Sequence, residues 1–242
     1  MAQPIVDFST FPSFRYSNAD IQTVIPYREG SPKPTDLEGI TNSSEIRVYL
    51  FYVKLKDKGE LLVKPYLSEQ ERAVISLLHN SEISGVIGFN QNYFVEEGIR
   101  TPSIDSALQA KAIYLEEKAA GLFGKALLQM HQRGVVYGKR FNNRVFVDDI
   151  TGKIKISDFS KAQITDELSA RIVDLTQALN YMESLASIQD MSDKQFFTAV
   201  RNFKSGYALY EDGKRVFEGA AQYFLSYLDS QSRIVRAIKQ AK

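Results

Sequence analysis

At 242 residues the chain is long enough to bury a substantial core, as one large domain or two smaller ones. A hydrophobic content of 44%, a charged content of 24% and a formal net charge of +1 describe an ordinary globular protein, with no global field that would draw nucleic acid or a membrane surface. Cysteine is absent and the only histidines are His79 and His131, which excludes disulfides, thiolate metal centres and multi-histidine metal sites.

The amino terminus, MAQPIVDFSTF, lacks the basic-then-apolar pattern of a secretory leader, and no run approaches the roughly 18 apolar residues of a membrane span. With cysteine absent as well, the expectation is a cytoplasmic location. Residues 1–38 read as an amino-terminal extension. Phe8, Phe11, Phe14 and Tyr16 make it too apolar for a free tail, so it is expected to dock on the body, and REGSPKPTD (28–36) reads as a loop. From 39 to 100 the pattern is mostly strand. In EIRVYLFYVKL the residues Ile46, Val48, Leu50 and Tyr52 alternate with their neighbours, the period of a half-buried strand. KDKGE turns through Gly59 and LLVKPYL returns as a second strand. Ser68 followed by Glu71 forms a capping-box pattern ahead of a helix with an apolar stripe at Val74, Ile75 and Leu78. VIGFNQNYFVEE reads as a hairpin.

Helix dominates from 101 to 242. LEEKAAGLFGKALLQMHQRG places Leu122, Leu127 and Met130 near one face and stops at Gly134. Two short strands, Val145–Val147 and Ile154–Ile156, flank a turn at Asp149–Gly152, and Asp158-Phe159-Ser160 follows them. Three helical segments close the chain. The first carries Ile172, Leu175, Leu179, Met182 and Leu185 at spacings of three and four. The second buries Phe196, Phe197, Val200 and Phe203, and the third runs from Arg215 almost to the end. The fold class is α+β.

A β-rich lobe followed by a helical lobe with a hairpin in its middle resembles the protein kinase-like superfamily. The similarity spans roughly residues 36–210. It is nearest the compact kinases of tRNA-modification complexes, the RIO-type kinases and the antibiotic phosphotransferases, which lack a long activation segment. The motifs that carry it are LLQMHQRGVVYGK, the strand pair ending in ISDFS, and ARIVDLTQAL. The resemblance implies a two-lobed fold and an ATP and magnesium site. It puts the phosphate-covering loop at Gly39–Glu45, with Gly39 the sole glycine. It puts the phosphate-pairing lysine at Lys64 with Glu71 as its helix partner, although Glu71 also has the capping role. The strand 93–99, including Glu96 and Glu97, would offer backbone groups to an adenine. His131 is matched, Tyr137 replaces a loop histidine, Gly138 is matched, and Asp174 resembles the aspartate that braces the catalytic loop. Asp158 matches the metal-binding aspartate and Phe159 its packing neighbour.

Two positions depart from the pattern. Lys139 stands where the catalytic aspartate would be, and Arg144 where an asparagine would hold a second magnesium ion. Lysine and arginine stay protonated at neutral pH, so neither accepts a proton from a hydroxyl. Each would also repel a metal ion, by on the order of 4 kcal/mol per unit charge product at 4 Å and an effective dielectric of 20. Asp148 and Asp149, at the hairpin turn, are placed there by turn chemistry rather than catalysis. Two arrangements of the cations are open: Arg144 pairs with Asp158, or Lys139, Arg144 and Lys64 together hold a nucleotide or phosphate without metal. Three readings of function follow: a pseudokinase that binds or regulates through a protein partner, a kinase-like nucleotide-dependent transferase with displaced catalytic groups, or an α+β interaction protein outside the superfamily.

Overall fold

The computed structural model describes residues 8–11, 15–27, 50–57, 60–79, 81–97, 117–141, 145–147 and 153–241. The chain divides into two compact units, Met1–Asn80 with Ser84–Arg100, and Ser81–Ile83 with Thr101–Lys242. The described residues form an α+β protein of six α-helices, one five-stranded antiparallel sheet and two small two-stranded sheets. None of these helices is long and apolar enough to cross a membrane.

The first unit is built on the five-stranded sheet. Its strands β1 (Ile21–Tyr27), β2 (Leu50–Leu55), β3 (Glu60–Pro65), β4 (Val86–Phe89) and β5 (Tyr93–Glu97) are ordered β1-β2-β3-β5-β4. Ile21–Tyr27, expected within the amino-terminal extension, is an edge strand of this sheet, paired with β2 from Ile21 opposite Leu55 to Tyr27 opposite Leu50. Pro26 hides the strand from pattern reading, and an edge position is where a residue without an N–H is tolerated. Ahead of β1, Phe8 and Phe11 are buried in one cluster with Val53, Leu55, Leu61, Val63 and Val95, and Tyr16 packs against it. Asn18 Oδ1 ties this segment down by accepting the Phe8 N–H at 2.7 Å.

That cluster also shows which residues of β2 enter the core: Val53 and Leu55, with Phe51 packed beside them. The side chains of Leu50 and Tyr52, from the alternating set expected to be half-buried, lie outside the description. Apolar residues fall on both alternations of LFYVKL, Leu50 and Tyr52 on one and Phe51, Val53 and Leu55 on the other, so alternation alone does not choose between them. Ile46, Val48, Gly59 and the 28–36 loop lie outside the described residues.

Helix α1 (Glu69–Leu78) begins with the expected Ser68 N-cap, but the reciprocal half of the capping box is displaced by one residue, to Leu67. Ser68 Oγ accepts the Glu71 N–H at 3.1 Å, and the Glu71 carboxylate reaches back to the Leu67 N–H at 2.7 Å. Val74, Ile75 and Leu78 are its buried stripe. In the β4–β5 hairpin, Asn90 Oδ1 accepts the N–H groups of Asn92 and Tyr93.

The second unit contains α2 (Glu117–Gln132), β6 (Val135–Val136), the β7–β8 hairpin (Val145–Val147 and Ile154–Ile156) and β9 (Gln163–Ile164). Helices α3 (Leu168–Ile188), α4 (Asp193–Tyr207), α5 (Glu211–Tyr227) and α6 (Arg233–Gln240) follow. Leu175, Leu179, Met182 and Leu185 on α3 and Phe196, Val200 and Phe203 on α4 are buried, as their spacing predicts. Gly134 ends α2 at φ +69, the left-handed conformation glycine adopts without a Cβ penalty.

The final helical stretch is broken in two. Leu228 is extended, Asp229 Oδ1 accepts the Gln231 N–H, and Asp229 O accepts the Ser232 N–H before α6 starts. The apolar period continues through this turn, so periodicity alone predicts one helix; the stop signal is the Asp-Ser-Gln-Ser run. The new amino terminus is held from a distance, because the Ile234 N–H donates to Glu183 Oε1 of α3 at 3.2 Å. Half-buried, Glu183 is pushed above the ordinary glutamate value of 4.5 by desolvation, with the Ile234 N–H and Arg233 opposing. A carboxyl raised in the folded state binds its proton more tightly there than in the unfolded chain, so its contribution is lost as pH rises upward from 4.5. Glu183→Gln is therefore expected to flatten the stability–pH curve in that window and to raise stability slightly at pH 7, by less than about 1 kcal/mol because solvent screens a half-exposed group. Urea midpoints from pH 4 to 8 check this; a steeper curve in the variant would contradict it.

Candidate functional site

The residues picked out between 131 and 174 converge within the second unit. The buried carboxylate of Asp174, on α3, accepts the backbone N–H of Tyr137 at 2.8 Å and of Gly138 at 3.0 Å. Its Oδ2 also lies 3.0 Å from His131 Nε2, and His131 Nδ1 lies 2.5 Å from the Tyr207 hydroxyl. Tyr207 is buried, and desolvation raises its phenol, with the Asp174 charge acting in the same direction. One carboxylate thus fixes the turn after β6 to two helices. Gly138 sits at φ +72, and a Cβ there would meet the carbonyl of Lys161, so only glycine suits the turn.

That turn delivers Lys139. Its ammonium lies 2.5 Å from Asp158 Oδ1 and 3.0 Å from Ser160 Oγ, and Ser160 Oγ donates to the same Asp158 oxygen at 2.7 Å. Both ion-pair side chains are about one-fifth exposed, so the pair is partly shielded from water. Asp158 stands at φ +62, a left-handed conformation that aspartate tolerates better than most residues. Around the pair the packing is aromatic. Tyr137 is fully buried, stacks on Phe141 at 4.6 Å and meets Phe159 edge-on at 6.2 Å, while its hydroxyl donates to Ser157 O. The Lys139 ammonium lies 5.5 Å from the Tyr137 ring centre. The hairpin β7–β8 that precedes Asp158 has Val145, Ile154 and Ile156 buried.

The Lys139–Asp158 contact belongs to neither of the two expected cation arrangements. Arg144, and with it the proposed Arg144–Asp158 pair, lies outside the described residues, as do Gly39, Asp148 and Asp149. A metal ion binding Asp158 Oδ1 would have to displace the Lys139 ammonium and the Ser160 hydroxyl. Ser160, to which the resemblance gives no role, belongs to this constellation; its place two residues after an aspartate is the Asx-type sequence signal for it.

The remaining candidates lie in the first unit. Lys64 Nζ is 2.7 Å from Glu96 Oε2, and Glu96 is almost fully buried. Strand register explains the contact: Lys64 is opposite Phe94, so Glu96 is its diagonal neighbour on the same face. Glu71, buried on α1, directs a carboxylate oxygen to the Leu67 N–H of its own helix start. The second oxygen of Glu96 is buried without a hydrogen-bond partner among the described residues. In the 93–99 stretch, Glu96 is flanked on both sides, by Leu62 and Val86, whereas Glu97 faces Leu61 alone. Its interior strand therefore commits most of its backbone groups to the sheet; residues 98 and 99 and the Glu97 side chain lie outside the description.

No protein-family model matches the chain, and comparison with curated proteins returns no match.

Proposed function

We propose that the chain is a kinase-shaped binding or regulatory module that acts through a protein partner without phosphoryl transfer. One observation carries the reading: Lys139, where the resemblance expects a catalytic aspartate, is ion-paired at 2.5 Å with Asp158, where it expects the metal ligand. Phosphoryl transfer depends on positioning and on neutralising the phosphates with metal ions. A site whose metal-ligand carboxylate is neutralised by its own lysine has little charge left to recruit Mg²⁺, and a protonated lysine does not take a hydroxyl proton. The same pairing weighs against the metal-free anion pocket, since Lys139 faces Asp158 and Lys64 faces Glu96, leaving neither as an uncompensated cation. A sheet-based unit with one helix between β3 and β4, followed by a helical unit carrying the hairpin and Asp158, supports the kinase-like shape.

Thermal melting with millimolar ATP, with and without Mg²⁺, tests the reading. The expected result is a change of less than about 1 °C in either condition, since ligand binding raises stability by mass action. A clear Mg²⁺-dependent rise, with ATP consumption abolished by Asp158→Ala, would overturn it and favour the displaced-group transferase. The double substitution Lys139→Asp with Arg144→Asn tests the kinase-like shape separately. Gain of a Mg²⁺-dependent shift supports it, and absence of any gain removes the basis for the resemblance.

A further inference from the structure

We infer that a groove formed by α4, α5 and α6 in the second unit is a docking site for an acidic amphipathic helix of a protein partner. The groove has a volume of about 590 Å³. Its floor is apolar, with Phe217, Ala221 and Ile238 contributing side chains otherwise buried in the unit. Its margin is cationic: Arg201, Lys204 and Lys214 face one carboxylate, Glu218. This surface involves none of the residues around Lys139, so it stands or falls independently of the reading above.

The three cations are arranged to receive more than one carboxylate. Arg201 and Lys204 are three residues apart and so lie on one face of α4, whereas Lys214 comes from the neighbouring helix. Lys204 is held in place: its ammonium donates to the Ala241 carbonyl at 2.8 Å and lies 5.6 Å from the Phe217 ring centre. An ammonium has three donors, so this anchoring leaves others for a ligand. Lys214 is engaged only by an exposed pair with Glu211, three residues away, of the kind worth little in water. No carboxylate among the described residues pairs with Arg201.

An apolar strip bordered by separate positive charges matches a helix with apolar residues at i, i+3 or i+4, and i+7, and Asp or Glu beside them. A small carboxylate amphiphile shares the chemistry, but a single carboxylate cannot serve three cations on two helices. Multiple acidic side chains along a helix can. Complementary charge of this kind also speeds encounter and makes the interaction salt-sensitive.

The test is selection from a displayed library of twelve-residue helical peptides, run against the full chain and against the Arg201→Glu/Lys214→Glu double variant. Both substitutions are at exposed positions, and circular dichroism with melting verifies the fold; Arg201→Glu alone is the fallback. The expected result is enrichment of Asp and Glu beside apolar residues at helical spacing. Selected peptides are expected to bind the double variant at least tenfold more weakly and to lose affinity as salt rises. Selection without an acidic excess, or equal binding to both chains, overturns the proposal. So does saturable, Arg201-dependent binding of decanoate in the absence of any acidic peptide, which would assign the groove to a small amphiphile.

Discussion

Asp174→Ala is expected to destabilise the helical unit by about 3–5 kcal/mol, the range for removing one partner from a buried charged network. The Asp174 side chain is almost wholly buried and receives the N–H groups of Tyr137 and Gly138 while contacting His131. Truncation leaves two backbone donors and an imidazole without their acceptor, and an unsatisfied buried donor costs about 1–3 kcal/mol by itself. Asn at this position is not a rescue. Its single carbonyl oxygen can face one of the donors, but its amide then presents N–H to the other. For a protein of this size about 2–4 °C of melting temperature is lost per kcal/mol, so a fall of roughly 10 °C is expected. Asp158→Asn is the matched control. That carboxylate is one-fifth exposed and faces side chains only partly shielded from water, so a change of about 1 kcal/mol or less is anticipated. Equal losses at the two positions would show that Asp174 does not hold the turn.

The second large effect arises where α2 and α4 touch backbone to backbone. A Cβ on Gly124 would collide with the Phe203 carbonyl oxygen, and one on Gly206 with the Gly121 carbonyl oxygen, with the Lys125 nitrogen 3.1 Å away. Two effects oppose each other in Gly124→Ala or Gly206→Ala. Helix propensity favours alanine by about 1 kcal/mol in a helix interior. Against it, the added methyl meets backbone, which cannot rotate aside, so the helices must separate; overpacking of this kind costs about 1–3 kcal/mol and occasionally more. Sterics should win, with a net loss of about 1–2 kcal/mol for each substitution. The double substitution should lose less than the sum, because one displacement of the helix pair relieves both clashes. Gly85→Ala, where an added Cβ meets nothing within 4 Å, should be near neutral. Urea unfolding of the four chains settles the sign; stabilisation by Gly206→Ala would mean that the helices lie farther apart than described.

Residues close in sequence announced themselves well. The Ser68 cap, the buried stripes of α3 and α4, the β7–β8 hairpin and the stop at Gly134 all follow from periods and caps a few residues long. Where two local signals are equal or in conflict, only the tertiary structure decides. Leu50–Leu55 has apolar residues on both alternations, and the core that Val53 and Leu55 join is completed by Phe8 and Phe11 from elsewhere in the chain. Pro26 interrupts the strand pattern of Ile21–Tyr27, and an edge position tolerates it. The apolar rhythm from Val216 to Ile238 concealed a break that Asp229 and Ser232 create through their own hydrogen bonds.

The candidate site shows the same division. That residue 139 is a lysine and residue 158 an aspartate is read directly from the sequence and requires no fold. That these charges meet at 2.5 Å, with Ser160 bridging them, depends on Asp174 clamping the turn from a helix more than thirty residues away. Likewise, the capping signature of Glu71 is local, whereas the contact of Lys64 with Glu96 exists because β5 enters the sheet beside β3. Covalent neighbours set element type and charge, since propensity and ionisation act over a few residues. Counter-charges and close-packed glycines are set by segments distant in the chain, since burial and hydrogen-bond satisfaction are properties of surfaces that meet only on folding.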